Sequence, residues 1–303
     1  MYLPKGTCPE PLGARTVEGI MATRSPRPAD ILRRRIAGEV VAFFNDKSRD
    51  QRPVVRSPDA LIPPGSVAWR VHGDVTSMMV GGIAALLLQM LHPKALAGVW
   101  DHSDFRADMH GRLRNTARFI AVTTFGARED AEGALARVRR IHDHVSGTLP
   151  DGDPYDANDP WLLAFVHLAG SAMFLEGWRR FGEPGMSARD QDQYWLDVAP
   201  IARGLGADPV PVTVAEAAAL MARFRPELVG NERSREVART ILRQPAAKLR
   251  ALPVQALLMQ SGVDLLPEWA RTMHGLRSSG LGRPALGVAT TGLAKTLRWA
   301  LTG

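Results

Sequence analysis

Val75-Thr76-Ser77-Met78-Met79-Val80-Gly81-Gly82-Ile83-Ala84-Ala85-Leu86-Leu87-Leu88-Gln89-Met90-Leu91-His92-Pro93 is the stretch that decides the fold class. From Met78 to Leu91 it is the longest apolar run in the chain, broken only by Gly81, Gly82 and Gln89. It falls short of the roughly 20 residues that span a bilayer. Its Ala and Leu favour helix over strand. The spacing therefore predicts a buried helix over Val75–Leu91, stopped at His92-Pro93 because the residue before a proline is biased out of the helical region. Pro93 and Gly98 read as a turn beyond it.

The same pattern extends in both directions. Upstream, Ile31-Leu32, Ile36, Val40-Val41 and Phe43-Phe44 recur at helical spacing from Ala29. Residues 1–28 carry Pro, Gly and Arg without a period and read as a flexible arm. Residues 51–65, rich in Pro and polar side chains, read as a loop. Downstream, helices are expected over 112–124 and 128–146, the second with Leu135, Val138, Ile141 and Val145 on one stripe and Gly147 as its stop. Asp159-Pro160 is an N-cap followed by a first-turn proline and opens a helix to about Trp178. Ser187 and Thr213 start two more, the latter with Glu216 as a capping box. Further helical patterns cover 231–244, 253–260, 267–276 and 285–301. No alternating strand of useful length and no internal repeat is found. The expectation is an all-α protein, one helical domain over residues 29–303 behind the arm.

The chain has 303 residues, 45% of them hydrophobic, enough for a sizeable core. Net charge is +7, but the cations are dispersed and no aromatic-interleaved basic stripe appears, so they read as solvated helix faces and no nucleic-acid partner is expected. The single cysteine, Cys8, excludes a disulfide framework, a cysteine zinc site and covalent c-type haem attachment within one chain. The first residues carry no charged-then-apolar export pattern. A cytoplasmic location is expected, at most peripheral to a membrane. No P-loop, dinucleotide fingerprint, Gly-x-Ser-x-Gly or His-Glu-x-x-His motif is present.

What chemistry remains rests on four side chains. Arg112 and Thr116, four apart, share a helix face; together they form either an ordinary surface pair or a holder for a carboxylate, a polarised oxygen or a haem propionate. His142 falls in step with Val138 and Val145, so it points inward, either as a hydrogen-bonded core histidine or as a metal ligand. His144 faces elsewhere. His167 lies mid-helix beside Leu163, Ala164, Gly170, Ser171 and Phe174, where small residues admit another helix or a flat cofactor. Polar groups on buried faces are costly unless something satisfies them.

Taken in order, Gln89…His92-Pro93, Gly98-Val99…His102-Ser103…Phe105, Arg112-Leu113…Thr116, Phe125-Gly126, Ile141-His142…Val145…Gly147, Tyr155…Ala157…Asp159-Pro160-Trp161…Val166-His167 resembles the catalytic domain shared by the fungal mycophenolate-pathway oxygenase and the bacterial latex-clearing protein. The likeness covers about residues 66–280 and is closer to small bacterial members than to the rubber-cleaving enzymes. The resemblance implies a globin-like helical core around a non-covalent b-type haem, with His142 as axial iron ligand and Arg112 and Thr116 near the haem. It implies dioxygen as co-substrate and oxidative cleavage of a carbon–carbon double bond in a hydrophobic, isoprenoid-like small molecule. His167 would line the pocket. The rubber-cleaving members carry a glutamate upstream of the arginine; here the acids nearby are Asp101, Asp104 and Asp108. Two other readings stand beside this one: a haem- or lipophilic-ligand-binding protein without turnover, and weak, salt-sensitive peripheral membrane contact through a basic C-terminal helix in which Leu293, Leu297 and Leu301, with Trp299, Lys295 and Arg298, would lie at an anionic interface.

Overall fold

The computed structural model describes residues 27–44, 51–245 and 251–301. The expected N-terminal arm therefore lies outside the described residues except for Arg27 and Pro28. Helices dominate: α1 (Pro28–Phe44), α2 (Val67–His72), α3 (Val75–Gln89), α4 (Pro93–His102), α5 (Met109–Phe125), α6 (Arg128–His142), α7 (Pro160–Phe181), α8 (Ala188–Leu205), α9 (Val214–Phe224), α10 (Glu232–Leu242), α11 (Leu252–Leu265), α12 (Glu268–His274) and α13 (Arg283–Leu301). Among the described residues the only sheet is a two-stranded antiparallel hairpin, β1 (Ser146–Thr148) with β2 (Pro154–Asp156). The all-α class is as the sequence indicates.

The centre of the molecule is the pair α3 and α7. Asp74 caps α3 by accepting from the Ser77 amide at 2.8 Å, and Asp159 caps α7 by accepting from the Trp161 amide. The two backbones touch through glycines. A Cβ on Gly81 would stand 2.7 Å from the Met173 carbonyl oxygen, and one on Gly177 would stand 2.7 Å from that of Ser77. Burial of Val80, Leu87 and Leu88 against Phe165, Leu168 and Trp178 drives the pairing. By length and composition α7 could cross a membrane, but its apolar stretch is 67% buried within the protein and serves as core. Arg298 of α13 ties this core to the C-terminus, donating to Asp74 Oδ2 at 2.6 Å and to the Phe181 carbonyl at 2.8 Å.

Several boundaries differ from the expectation. Pro93 does not begin a turn but occupies the first position of α4, where its missing N–H costs nothing; the chain bends by 101° between α3 and α4. Gly98 sits inside α4, where a Cβ would be 3.4 Å from Val145. Helix α6 ends at His142 rather than Ser146. Gly147 is not its stop but a strand residue over which the Tyr155 ring lies, with a Cβ there only 2.7 Å from the phenol oxygen. Ile141 is 53% exposed, so the buried side of α6 is carried by Ala131 and Leu135, the latter against Gly204 of α8. At α9 the Thr213 hydroxyl accepts from the Glu216 amide, but the Glu216 carboxylate takes the Val212 amide instead of closing a capping box.

Candidate functional site

Along the α3–α7 seam one line of side chains stays partly exposed beside largely buried neighbours. It comprises Met78, Gly82 and Gln89 on α3 and Val166, His167 and Gly170 on α7. A Cβ on Gly82 would meet only Phe174, at 3.7 Å; one on Gly170 would meet Phe174 at 3.8 Å and Gln89 at 3.9 Å. The seam is thus a part-exposed strip in which Phe174 and Gln89 stand at ordinary contact distance from the two glycine positions.

Helices α5 and α6 are joined by Gly126 and Ala127 alone, so they run back along one another. Arg112 lies near the start of α5 and His142 at the end of α6. Asp108 caps α5 through the Gly111 amide at 2.8 Å. Only Met109, Thr123 and Thr124 of α5 are buried. Arg112 is half-buried, and desolvation alone pulls its pKa below the usual guanidinium value. Among the described residues no carboxylate lies within ion-pair reach of it. A desolvated cation without a counter-ion is a costly arrangement. Thr116 is exposed, and its hydroxyl donates to the Arg112 carbonyl at 3.1 Å.

His142 is half-buried, and its Nδ1 is sealed from solvent with no hydrogen-bond partner among the described residues. Burial holds its pKa below the ordinary value against the opposing pull of Asn158, Asp156 and Asp143. Asn158 anchors this corner, donating to Asp143 at 2.8 Å and to the Arg139 carbonyl at 3.3 Å. The hairpin next to it is clamped to α4: Tyr155 donates to Asp101 Oδ2 at 2.8 Å, and His102 Nε2 lies 3.1 Å from both the Tyr155 hydroxyl and the Ser146 carbonyl oxygen. Burial, with Asp101 beside it, pushes the Tyr155 phenol up to about 12. The acids nearest Arg112 in sequence are thereby partly spent: Asp101 receives the tyrosine and Asp108 caps the helix.

His167 stands apart from His142 and Arg112, and no contact among the described residues joins them. Its Nδ1 lies 3.5 Å from Ser171 Oγ and its Nε2 is buried without a partner. It belongs instead to a buried polar group centred on His72, which sequence reasoning did not single out. His72 Nδ1 lies 2.8 Å from Thr124 Oγ1 of α5 and Nε2 lies 3.0 Å from the Tyr194 hydroxyl of α8, with Phe174 edge-on to the ring. Desolvation lowers the His72 pKa to about 3, with His167 adding to it, and lowers that of His167 to about 4. Both imidazoles are neutral at pH 7. The signal for His72 was only a histidine two residues ahead of the Asp74 cap; its partners lie 52 and 122 residues away.

Residues 69–299 match the family described as "ER-bound oxygenase mpaB/B'/Rubber oxygenase, catalytic domain". The chain belongs to this family. The match runs from α2 to α13 and takes in the α3–α7 seam, Arg112, His142, the His72 group and the α4 clamp, leaving α1 outside. No curated protein and no solved structure matches the chain. Membership in the mpaB/rubber oxygenase family makes this an oxygenase-type catalytic domain.

Proposed function

We propose that this chain is a b-type haem-dependent oxygenase that uses dioxygen to cleave a carbon–carbon double bond in a hydrophobic, isoprenoid-like small molecule. The observation that carries the reading is that two successive helices each hold a buried polar group in excess: on α5 the desolvated Arg112 guanidinium, with no ion pair among the described residues, and on α6 the half-buried His142 imidazole, whose Nδ1 is sealed from solvent. Haem offers what each lacks: propionate carboxylates for Arg112 and a metal for His142. The part-exposed α3–α7 seam, with Met78, Val166 and two glycines, offers apolar surface to a polyene substrate. The residues present therefore fit the group.

His142 would hold the iron, oriented by the Asn158 corner and the clamped hairpin. Arg112 would pair with a propionate. Thr116, whose hydroxyl is committed to the Arg112 carbonyl, would buttress that turn of α5. His167 would line the pocket, and Met78 and Phe174 would exclude water from an apolar substrate. When bound, haem supplies the redox-active iron that activates dioxygen. The test is aerobic incubation of haem-loaded protein with carotenoids, prenylated quinones and squalene, followed by mass spectrometry. Carbonyl-bearing cleavage products are expected from at least one, and their absence from His142→Ala protein.

One observation favours a second reading, a haem or lipophilic-ligand carrier without turnover. Asp101 and Asp108 are both held in structural hydrogen bonds, so neither is a ready base. Haem binding with every polyene recovered intact would support the carrier.

A further inference from the structure

From Trp269 to Gly303 the chain has no Asp or Glu, while Arg271, Arg277, Arg283, Lys295 and Arg298 all fall within it. Of the leucines expected to meet a membrane, Leu293 packs against the core and Leu297 is half-buried, while Leu301 is exposed at 38%. The outward line is Leu281, Ala285, Val288, Gly292, Lys295 and Trp299, recurring every three or four residues and exposed throughout. Leu281, at the tip of the turn before α13, is fully exposed at 104%, and Val288 is 75% exposed. Gly280, with φ of +56°, lets the chain turn sharply enough to present that tip.

Beside this line lies an open trough of about 560 Å³, lined in part by Arg180, Phe181, Val288, Thr291, Gly292 and Lys295. Its cationic end is over-supplied. Arg180 and Arg283 both donate to one acceptor, the Asp264 carbonyl, at 3.1 and 3.2 Å. The Asp264 carboxylate is taken up by the Ser279 amide and hydroxyl and by Gln260. The other acid nearby, Glu176, pairs with Arg179 at 3.0 Å. Lys295 makes no ion pair among the described residues.

We propose that this face docks on an anionic bilayer, with Leu281 and Val288 entering the interface and the trough receiving the phosphate of an acidic phospholipid. Apolar side chains beside unneutralised cations, with an interfacial tryptophan at the end of the helix, are the composition that lies flat in a headgroup layer. The inference is independent of haem.

Co-sedimentation of the full chain with vesicles tests it. Binding is expected to equal parts of phosphatidylcholine and phosphatidylglycerol, but not to phosphatidylcholine alone, and to weaken as salt rises. The double variant Leu281→Asp with Val288→Asp should lose roughly tenfold or more in vesicle affinity. Lys295→Glu should weaken binding to the charged vesicles. Both variants change exposed side chains, and unaltered circular dichroism would show that the fold is kept. Equal binding by the double variant would overturn the proposal by assigning the attraction to charge elsewhere in the chain. Absence of binding to the charged vesicles at low salt would overturn it, as would capture of free glycerol phosphate without vesicle binding. A dimer in solution that dissociates on Val288→Asp would equally overturn it, since a second copy would then cover the face.

Discussion

Arg112 and His142 could be picked out from the sequence because their chemistry is local: one shares a helix face with Thr116, the other keeps step with Val138. What the sequence could not supply was the missing partner in each case, since the absence of a carboxylate or an acceptor is a property of the packed surroundings. His72 was illegible for the same reason, because both of its partners come from distant helices. Arg112→Ala is expected to leave the fold intact and speed haem loss on the order of tenfold, the scale of one charge-assisted hydrogen bond; transfer to an apo-globin acceptor would measure it, and an unchanged rate would remove Arg112 from the site. His72 and His167 also carry a pH prediction for the haem-free protein. Their folded pKa values, about 3 and about 4, lie below the unfolded value of about 6.5. Above pH 6.5 both are neutral in either state and impose no cost. As pH falls, the unfolded chain takes up protons the folded chain refuses, so each group costs up to ~1.4 kcal/mol per pH unit until its own folded pKa is reached. Denaturation at pH 7 and pH 5 should show the loss, and His72→Gln should flatten it. A slope identical in His72→Gln would show that His72 is not buried neutral.

At the scale of elements, helices with a complete local signature were read closely. Asp159-Pro160 and Ser187 start α7 and α8 where expected, because capping is settled by adjacent residues. The end of α6 was misread because Gly147, a common helix stop, is there to make room for Tyr155 from the other strand. Helix α4 was read as a turn because a proline at a helix start and one at a break look alike in sequence. Close packing of α3 on α7 gives a paired prediction. Gly81→Ala would push a methyl against the Met173 backbone oxygen, which cannot move aside, and should cost about 1–3 kcal/mol in denaturant unfolding. Gly133→Ala, exposed within α6 with nothing nearby, should gain roughly 0.5–1 kcal/mol. If Gly81→Ala were neutral, the two helices could not be in backbone contact.

For the whole molecule, the sequence carried the all-α class and the oxygenase family but not which surfaces remain open. The part-exposed seam over Gly82 and Gly170, and the outward line of α13, arise from how helices distant in sequence pack. A ligand that binds only the folded state raises its stability, by about 2.7 kcal/mol at a hundredfold excess over the dissociation constant. Haem should therefore raise the melting temperature of this chain and not of His142→Ala; equal shifts would place the haem elsewhere. The most direct measurement is a titration of the purified chain with haemin, followed by its Soret absorption. A saturable Soret band at one haem per chain is expected, retained in His167→Ala and lost in His142→Ala. A band of unchanged position and stoichiometry in His142→Ala would contradict the assignment of the iron to that imidazole.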